Sequence, residues 1–373
     1  MKMLRRFARF VVRWRVPIFL VAILVTIPAL VGMLRTPSQL NIYRKLPEEL
    51  ESIRGIQVME EGVGAKGQAF LLIDTGVPGG AMREEVLVAE RELRMRIAMV
   101  EGVGESLSAS DLLIHGGMVI PIESLPLERR AIVEKLFDPE RRMTWITLTL
   151  VSEHTGEEAL EDFERTVGKI KEIEEAMRGS FPEGTKLYLT GEIPMMTDLE
   201  RVVEEDRPKI NAAVLIGVAV VVALIFLSLW VPVAIIAALG FSVLWNLGLC
   251  YLWPGELNIL TLSTTFAIQL GCTVDYCVFL LGRYREERRS LPKEEAMVNA
   301  LSTTSRPILG AALTTMLGFG CLAISRVGFI SEFGLILSRG IFLSFLSAVM
   351  VVPALVLVSD IFLRKLSWKG FRD

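Results

Sequence analysis

Histidine and cysteine are scarce in this chain, with two and four copies among 373 residues. The cysteines, Cys250, Cys272, Cys277 and Cys321, all fall in apolar runs, so the long polar block Arg35–Arg207 has no thiol. A disulfide framework or a cysteine metal site is excluded there. His115 and His154 stand apart in that block and read as surface residues rather than metal ligands or catalytic bases. Charged residues make up only 22% and the net charge is −3. No phosphate-cradling G-x-x-x-x-G-K-[ST] spacing occurs, which argues against ATP hydrolysis by this chain. What is abundant is apolar: 52% hydrophobic residues and a mean hydropathy of +0.48 exclude disorder, collagen and small disulfide scaffolds.

The apolar residues are gathered into runs of about 19–25 residues, the length that crosses a hydrocarbon core of about 30 Å at about 1.5 Å per residue. Six such runs predict spans at 16–34, 210–230, 231–253, 257–281, 307–325 and 333–358. Basic residues flank their ends. Lys2, Arg5, Arg6, Arg9, Arg13 and Arg15 precede the first span; Arg283, Arg285, Arg288, Arg289 and Lys293 follow the fourth; Arg364, Lys365, Lys369 and Arg372 close the chain. The positive-inside rule puts all three clusters in the cytoplasm, and an even number of spans then leaves 35–207 outside. Trp14, Trp230, Trp253 and Trp368 sit at span ends, where amphipathic rings anchor. The first run is too long for a signal-peptide core and Gly32-Met33-Leu34-Arg35 offers no small-x-small cleavage site, so this span is expected to stay attached. The predicted organisation is therefore a basic N-terminus with the first span (1–34), an extracytoplasmic domain (35–207), five further spans (208–359) and a basic cytoplasmic tail (360–373).

The outer block carries 34 acidic and 21 basic residues, so nucleic acid is not a partner; a solvated exterior explains the acidity. Strands are predicted at 68–74, 102–107, 143–151 and 186–190. A helix over 81–100 aligns Val86, Ala89, Leu93 and Ile97. Another, opened by a capping box of Thr155 and Glu158 and closed at Gly179, aligns Leu160, Phe163, Val167, Ile170, Ile173 and Met177. With 108–142 as an insertion, this β-α-β, β-α-β order predicts an α+β ferredoxin-like domain between the first two helices of a six-span multi-pass membrane protein. Such a fold by itself names no function.

Polar residues inside the spans are the candidate site. Asp275 lies about 9 Å inside the cytoplasmic boundary. A carboxylate at mid-span costs about 2.5–3.5 kcal/mol and persists where it meets a protein interior or a wet cavity, so it points to a proton or cation relay. Thr314, Thr315, Asn246 and Gln269 are its candidate companions, although small polar residues in spans also serve helix packing. Arg339, with Glu332 two turns earlier, reads as an interfacial charge or a local ion pair. An intramembrane aspartyl protease needs two facing carboxylates, and one chain supplies one deep Asp.

Gly271-Cys272-Thr273-Val274-Asp275-Tyr276, followed by Leu281-Gly282-Arg283-Tyr284-Arg285-Glu286-Glu287, resembles the G-x-x-x-D-Y…R-Y-R-E-E signature of the resistance-nodulation-division (RND) superfamily, in its MMPL branch. Ala312-Leu313-Thr314-Thr315…Gly318-Phe319-Gly320 resembles the same family's fifth-span motif. Val352-Pro353-Ala354-Leu355 resembles the end of its sixth span, and Thr190-Gly191-Glu192-Ile193-Pro194 the approach to its second. The resemblance implies export of lipids or other hydrophobic compounds driven by the ion-motive force. It makes Asp275 the proton-carrying carboxylate with Tyr276 beside it and the outer domain a porter region, and it implies no cofactor. Members of the family carry two six-span repeats, whereas one is found here, and a coupling site at a repeat interface needs both. A homodimer, a partner half-transporter or a longer chain would each complete it, and the homodimer is the expectation carried forward. Two other readings are an accessory protein-translocation module of the superfamily and a sterol-sensing-like lipid-binding membrane protein without transport.

Overall fold

The computed structural model describes residues 2–36, 38–39, 50, 54, 65–154, 157–253 and 257–359. The basic tail with Trp368 and the Thr155 cap lie outside the described residues. The chain divides into two compact units, Glu48–Arg201 and Met1–Pro47 with Val202–Asp373.

The first unit holds an antiparallel four-stranded sheet: β1 (Ala65–Asp74), β2 (Val103–Leu107), β3 (Met143–Ser152) and β4 (Lys186–Gly191), in spatial order β2-β3-β1-β4. Helix α1 (Glu84–Ala98) joins β1 to β2, and α2 (Glu157–Met177) joins β3 to β4. This is the ferredoxin-like arrangement, in which two β-α-β crossovers interleave so that β1 and β3 become the centre. Strict alternation along β3 buries Thr144, Ile146, Leu148 and Leu150 on one face, and the register sets Leu71 opposite Ile146 and Ala69 opposite Leu148. Val86, Leu93 and Ile97 of α1 and Phe163, Val167 and Ile170 of α2 close over that face. Gly191 ends β4 at φ 121° with a Cβ position only 2.7 Å from the Gln68 carbonyl, so only glycine fits where strand gives way to helix.

The insertion 108–142 is ordered rather than loose. Ser108 and Asp111 form a capping box that opens the short helix Ala109–Leu113; a two-residue hairpin and the helix Leu127–Glu134 follow. Leu113, Ile122, Val133 and Phe137 build a satellite core with Leu87 from the back of α1.

Six helices among the described residues are long and apolar enough to cross a membrane: Arg15–Arg35, Glu192–Phe226, Trp230–Cys250, Ile259–Glu287, Lys293–Ile324 and Gly328–Val358, here spans 1 to 6. Spans 3, 4 and 6 pack on one another, span 1 lies against span 3 and the end of span 6, and span 5 lies against spans 4 and 6. Along their most apolar 18-residue stretches the central three are 56%, 44% and 61% buried, whereas spans 1, 2 and 5 are each 11% buried by the described residues. Span 1 approaches span 3 backbone to backbone: a Cβ on Gly32 would sit 2.5 Å from the Gly248 carbonyl, and one on Gly248 would run into the Ala29 backbone. Span 6 carries a π turn at Ser347–Val351 just before Pro353, whose missing N–H and bulky ring interrupt the α-helical ladder.

Two features go beyond the hydropathy pattern. Several helices outrun their apolar stretches, since charged helix formers such as Arg283 and Glu287 (2.5 Å apart) continue them. Residues 2–13, basic enough to read only as an orientation signal, form a separate amphipathic helix that buries Ala8, Val11 and Val12 and packs against span 5.

Candidate functional site

Two polar sets occupy the membrane unit. The first is sealed. Asn246 of span 3 donates through Nδ2 to Gln269 Oε1 of span 4 (2.9 Å) and to the Ile336 carbonyl of span 6 (3.1 Å). Gln269 Nε2 in turn meets the Gly340 carbonyl (3.1 Å), Ser344 Oγ (3.1 Å) and Ser242 Oγ (3.4 Å). Both amides are wholly buried, so each unmade bond would cost about 1–3 kcal/mol. Gly340 makes room for them, because a Cβ there would lie 2.5 Å from both Asn246 Nδ2 and Gln269 Oε1.

Arg339 completes this set. Its Nε donates to Asn246 Oδ1 (2.9 Å), and its Nη protons go to the carbonyls of Trp253 (2.8 Å) and Asn246 (3.0 Å) at the end of span 3. A guanidinium at a helix C-terminus satisfies orphan carbonyls and complements the helix dipole. Glu332 Oε1 accepts the backbone N–H of Asn258 (3.0 Å), whose side chain caps span 4. The sequence predicts Arg339 as an interfacial charge or half of a local ion pair and Asn246 as a companion of Asp275, whereas the structure joins Arg339 and Asn246 to each other. Neither hydrogen bond between Arg339 and Asn246 is legible in one span, because their geometry arises only when three spans pack.

The second set is open. On span 4, Thr264, Gly271, Cys272, Asp275 and Phe279 lie along one side of the helix, all exposed. The adjoining stripe, Thr265, Gln269, Thr273, Tyr276 and Leu280, is buried. Within one chain Asp275 is thus left uncovered by the other spans. On neighbouring span 5, Gly310, Ala311, Thr314, Leu317 and Gly318 are exposed in the same way, and Thr315 is partly covered. The Thr314 hydroxyl bonds back to the Ala311 carbonyl (2.8 Å). Tyr276 turns inward, with its buried hydroxyl toward Thr315.

In the sheet unit, Glu90 is fully buried, and its place on the α1 stripe of Val86, Leu93 and Ile97 was a signal that sequence reading passed over. It accepts from Thr144 (3.3 Å), and burial pushes its carboxyl up to about 8, against 4.5 ordinarily. His154 Nδ1 lies 2.9 Å from Asp162, which also accepts from Ser152 (2.6 Å). That pairing raises the imidazole above its usual range and lowers the carboxylate. No group of three His, Cys, Asp or Glu side chains that could hold a metal occurs among the described residues.

The chain presents six membrane-crossing helices, an exposed intramembrane carboxylate and a ferredoxin-like domain between the first two spans, and its family match makes it a membrane transporter rather than an enzyme. Residues 144–366 match the MMPL family, and the chain belongs to it. A membrane protein of Methanocaldococcus jannaschii is 22% identical over 370 residues, covering 96% of this chain and 94% of that one. The siderophore exporter MmpL5 of Mycobacterium tuberculosis is 25% identical over 188 residues, 48% of this chain and 19% of its own length. The apo-petrobactin exporter of Bacillus anthracis is 25% identical over 209 residues, 54% of this chain and 28% of its own. The match thus spans less than a third of either exporter.

Proposed function

We propose that this chain is a secondary exporter of lipids or other hydrophobic compounds, driven by the ion-motive force and working as a dimer. It lies in the cytoplasmic (inner) membrane with both termini inside, and residues 35–207 form the extracytoplasmic porter region. One observation carries the reading: Asp275 stands on an uncovered stripe of span 4, with Thr314 exposed on the neighbouring span 5. A carboxylate facing hydrocarbon costs about 2.5–3.5 kcal/mol, a cost relieved when a second set of spans closes over it. A homodimer supplies that cover from identical stripes; a partner half-transporter supplies it from a related one. Enclosed between two bundles, Asp275 gains and loses a proton, Tyr276 and Thr315 line the route, and the change of charge shifts the packing of spans 4 and 5. Export of small molecules by MmpL5 and by the apo-petrobactin exporter supports an export direction for this relative.

The test is transport of a labelled lipid in proteoliposomes under an imposed pH gradient. Asp275→Asn, isosteric and uncharged, is expected to abolish gradient-driven transport while leaving yield and assembly unchanged. Undiminished transport by that variant would refute the coupling role.

A further inference from the structure

Helix Lys2–Arg13 has two working faces, and only one is used by the protein. Ala8, Val11 and Val12 face inward and are buried. On the outer face Arg5, Arg9 and Arg13 recur every fourth residue with Arg6 beside them, all exposed. Arg15 is neutralised by Glu294 at 2.7 Å. The other four have no carboxylate partner among the described residues; Arg5 reaches only the Asn299 amide and Arg9 only the Arg5 carbonyl, each at 3.4 Å. Like charges one helical turn apart repel by about 0.2–0.5 kcal/mol per pair, a cost that a bound anion relieves. Next to it Phe10 and Trp14, 49% and 50% exposed, stack with ring centroids 6.1 Å apart. The arginines and this aromatic pair share one groove of about 1280 Å³ with the start of span 5, where Glu294, already paired with Arg15, and Glu295 also line it, so that basic residues outnumber acidic ones.

We infer that this groove binds the headgroup of an anionic phospholipid, its phosphate held by Arg5, Arg6, Arg9 and Arg13 and its acyl chains lying against Phe10 and Trp14. A soluble anion satisfies the arginines and leaves the rings in water; a lipid satisfies both at once. The position favours lipid over an acidic protein, because Trp14 alone separates this helix from span 1, which holds the groove at the membrane surface. The site is separate from Asp275 and does not depend on ion coupling. It gives the protein a lipid that stays, distinct from one that is exported.

The test uses the full chain, delipidated in neutral detergent, with phosphatidylglycerol and phosphatidylcholine of identical acyl chains as probes and native mass spectrometry as readout. Wild type is expected to retain phosphatidylglycerol at least about tenfold better, given the attraction of each basic residue to an anionic surface. R5Q/R6Q/R9Q/R13Q is expected to lose that preference, and the matching lysine variant to keep most of it. Preference in wild type should also fall as salt rises, which tests the site even if the glutamine variant fails to fold. D275N is expected to keep the preference while losing transport, so the two readings fail separately. An unchanged preference in the glutamine variant, indifference to salt, or displacement of the lipid by equimolar inorganic phosphate or an acidic peptide would each overturn the inference.

Discussion

The Asn246–Gln269–Arg339 cluster and the Asp275–Thr314 stripe lie in the same bundle and meet the same hydrocarbon, yet one is closed and the other open. In the closed cluster every amide proton and the guanidinium find partners on spans 3, 4 and 6. A satisfied buried network rigidifies, and it costs heavily to disturb. The open stripe presents its carboxylate on a face that the other spans, among the described residues, leave exposed. What separates the two polar sets is therefore not residue type or depth but whether the chain itself supplies their surroundings.

That contrast is sharpest in a pair of substitutions. Gly340→Leu drives a side chain into the space of both buried amides and is expected to destabilise the bundle by about 3–5 kcal/mol, lost packing and lost hydrogen bonds together. Thermal unfolding in detergent would register it, and a change below about 1 kcal/mol would show that the cluster is loosely held. Thr314→Val, on the open stripe, removes only a hydroxyl bonded to its own helix. It is expected to leave stability within about 0.5 kcal/mol and to slow gradient-driven transport severalfold in the proteoliposome assay.

Glu90 supplies a control, an acid that its own unit encloses completely. Its carboxyl, pushed up to about 8 from 4.5, binds a proton in the folded state that the unfolded state has already released. The contribution of Glu90 to the stability of the sheet unit is therefore expected to be full below about pH 4.5, to fall as pH rises toward 8 and to level off above it, by about 4–5 kcal/mol at most. Glu90→Gln should flatten that slope and stabilise the protein at pH 9; equal slopes for the two proteins would contradict the enclosure. The smallest effect is at His154. Its imidazole is expected to titrate above the ordinary 6.5, and Asp162→Asn should bring it back down, as read from its NMR ring signals. An unchanged titration would mean that the pair does not form in solution.

Spans and strands were legible because length and alternation are local. Ile146, Leu148 and Leu150 announce β3 whatever lies around them, and the runs from Arg15 to Arg35 and from Gly328 to Val358 declare their length. The ends of spans 4 and 5 were not legible, since hydropathy stops at the membrane while helical hydrogen bonding runs on through Arg283 and Glu287. The sequence predicts no elements within the insertion, whose core residues, Leu113, Ile122, Val133 and Phe137, are too widely spaced to show a period. For the site, sequence marked Asp275, Asn246 and Gln269 as polar residues in apolar runs. It could not sort them. Their separation follows from the rotation of span 4, which turns Gln269 toward spans 3 and 6 and leaves Asp275 on the other side, and that rotation is fixed by partners far along the chain such as Gly340.

The central claim is that a second bundle covers the open stripe, and Cys272, exposed one turn before Asp275, reports on it. With Cys250 and Cys321 replaced by Ser and Cys277 by Ala, native membranes are treated with a short bis-maleimide. A covalent dimer of two copies through Cys272 is the expected result. A monomer whose Cys272 reacts at full rate with a lipid-soluble maleimide, with no cross-link formed, would contradict it.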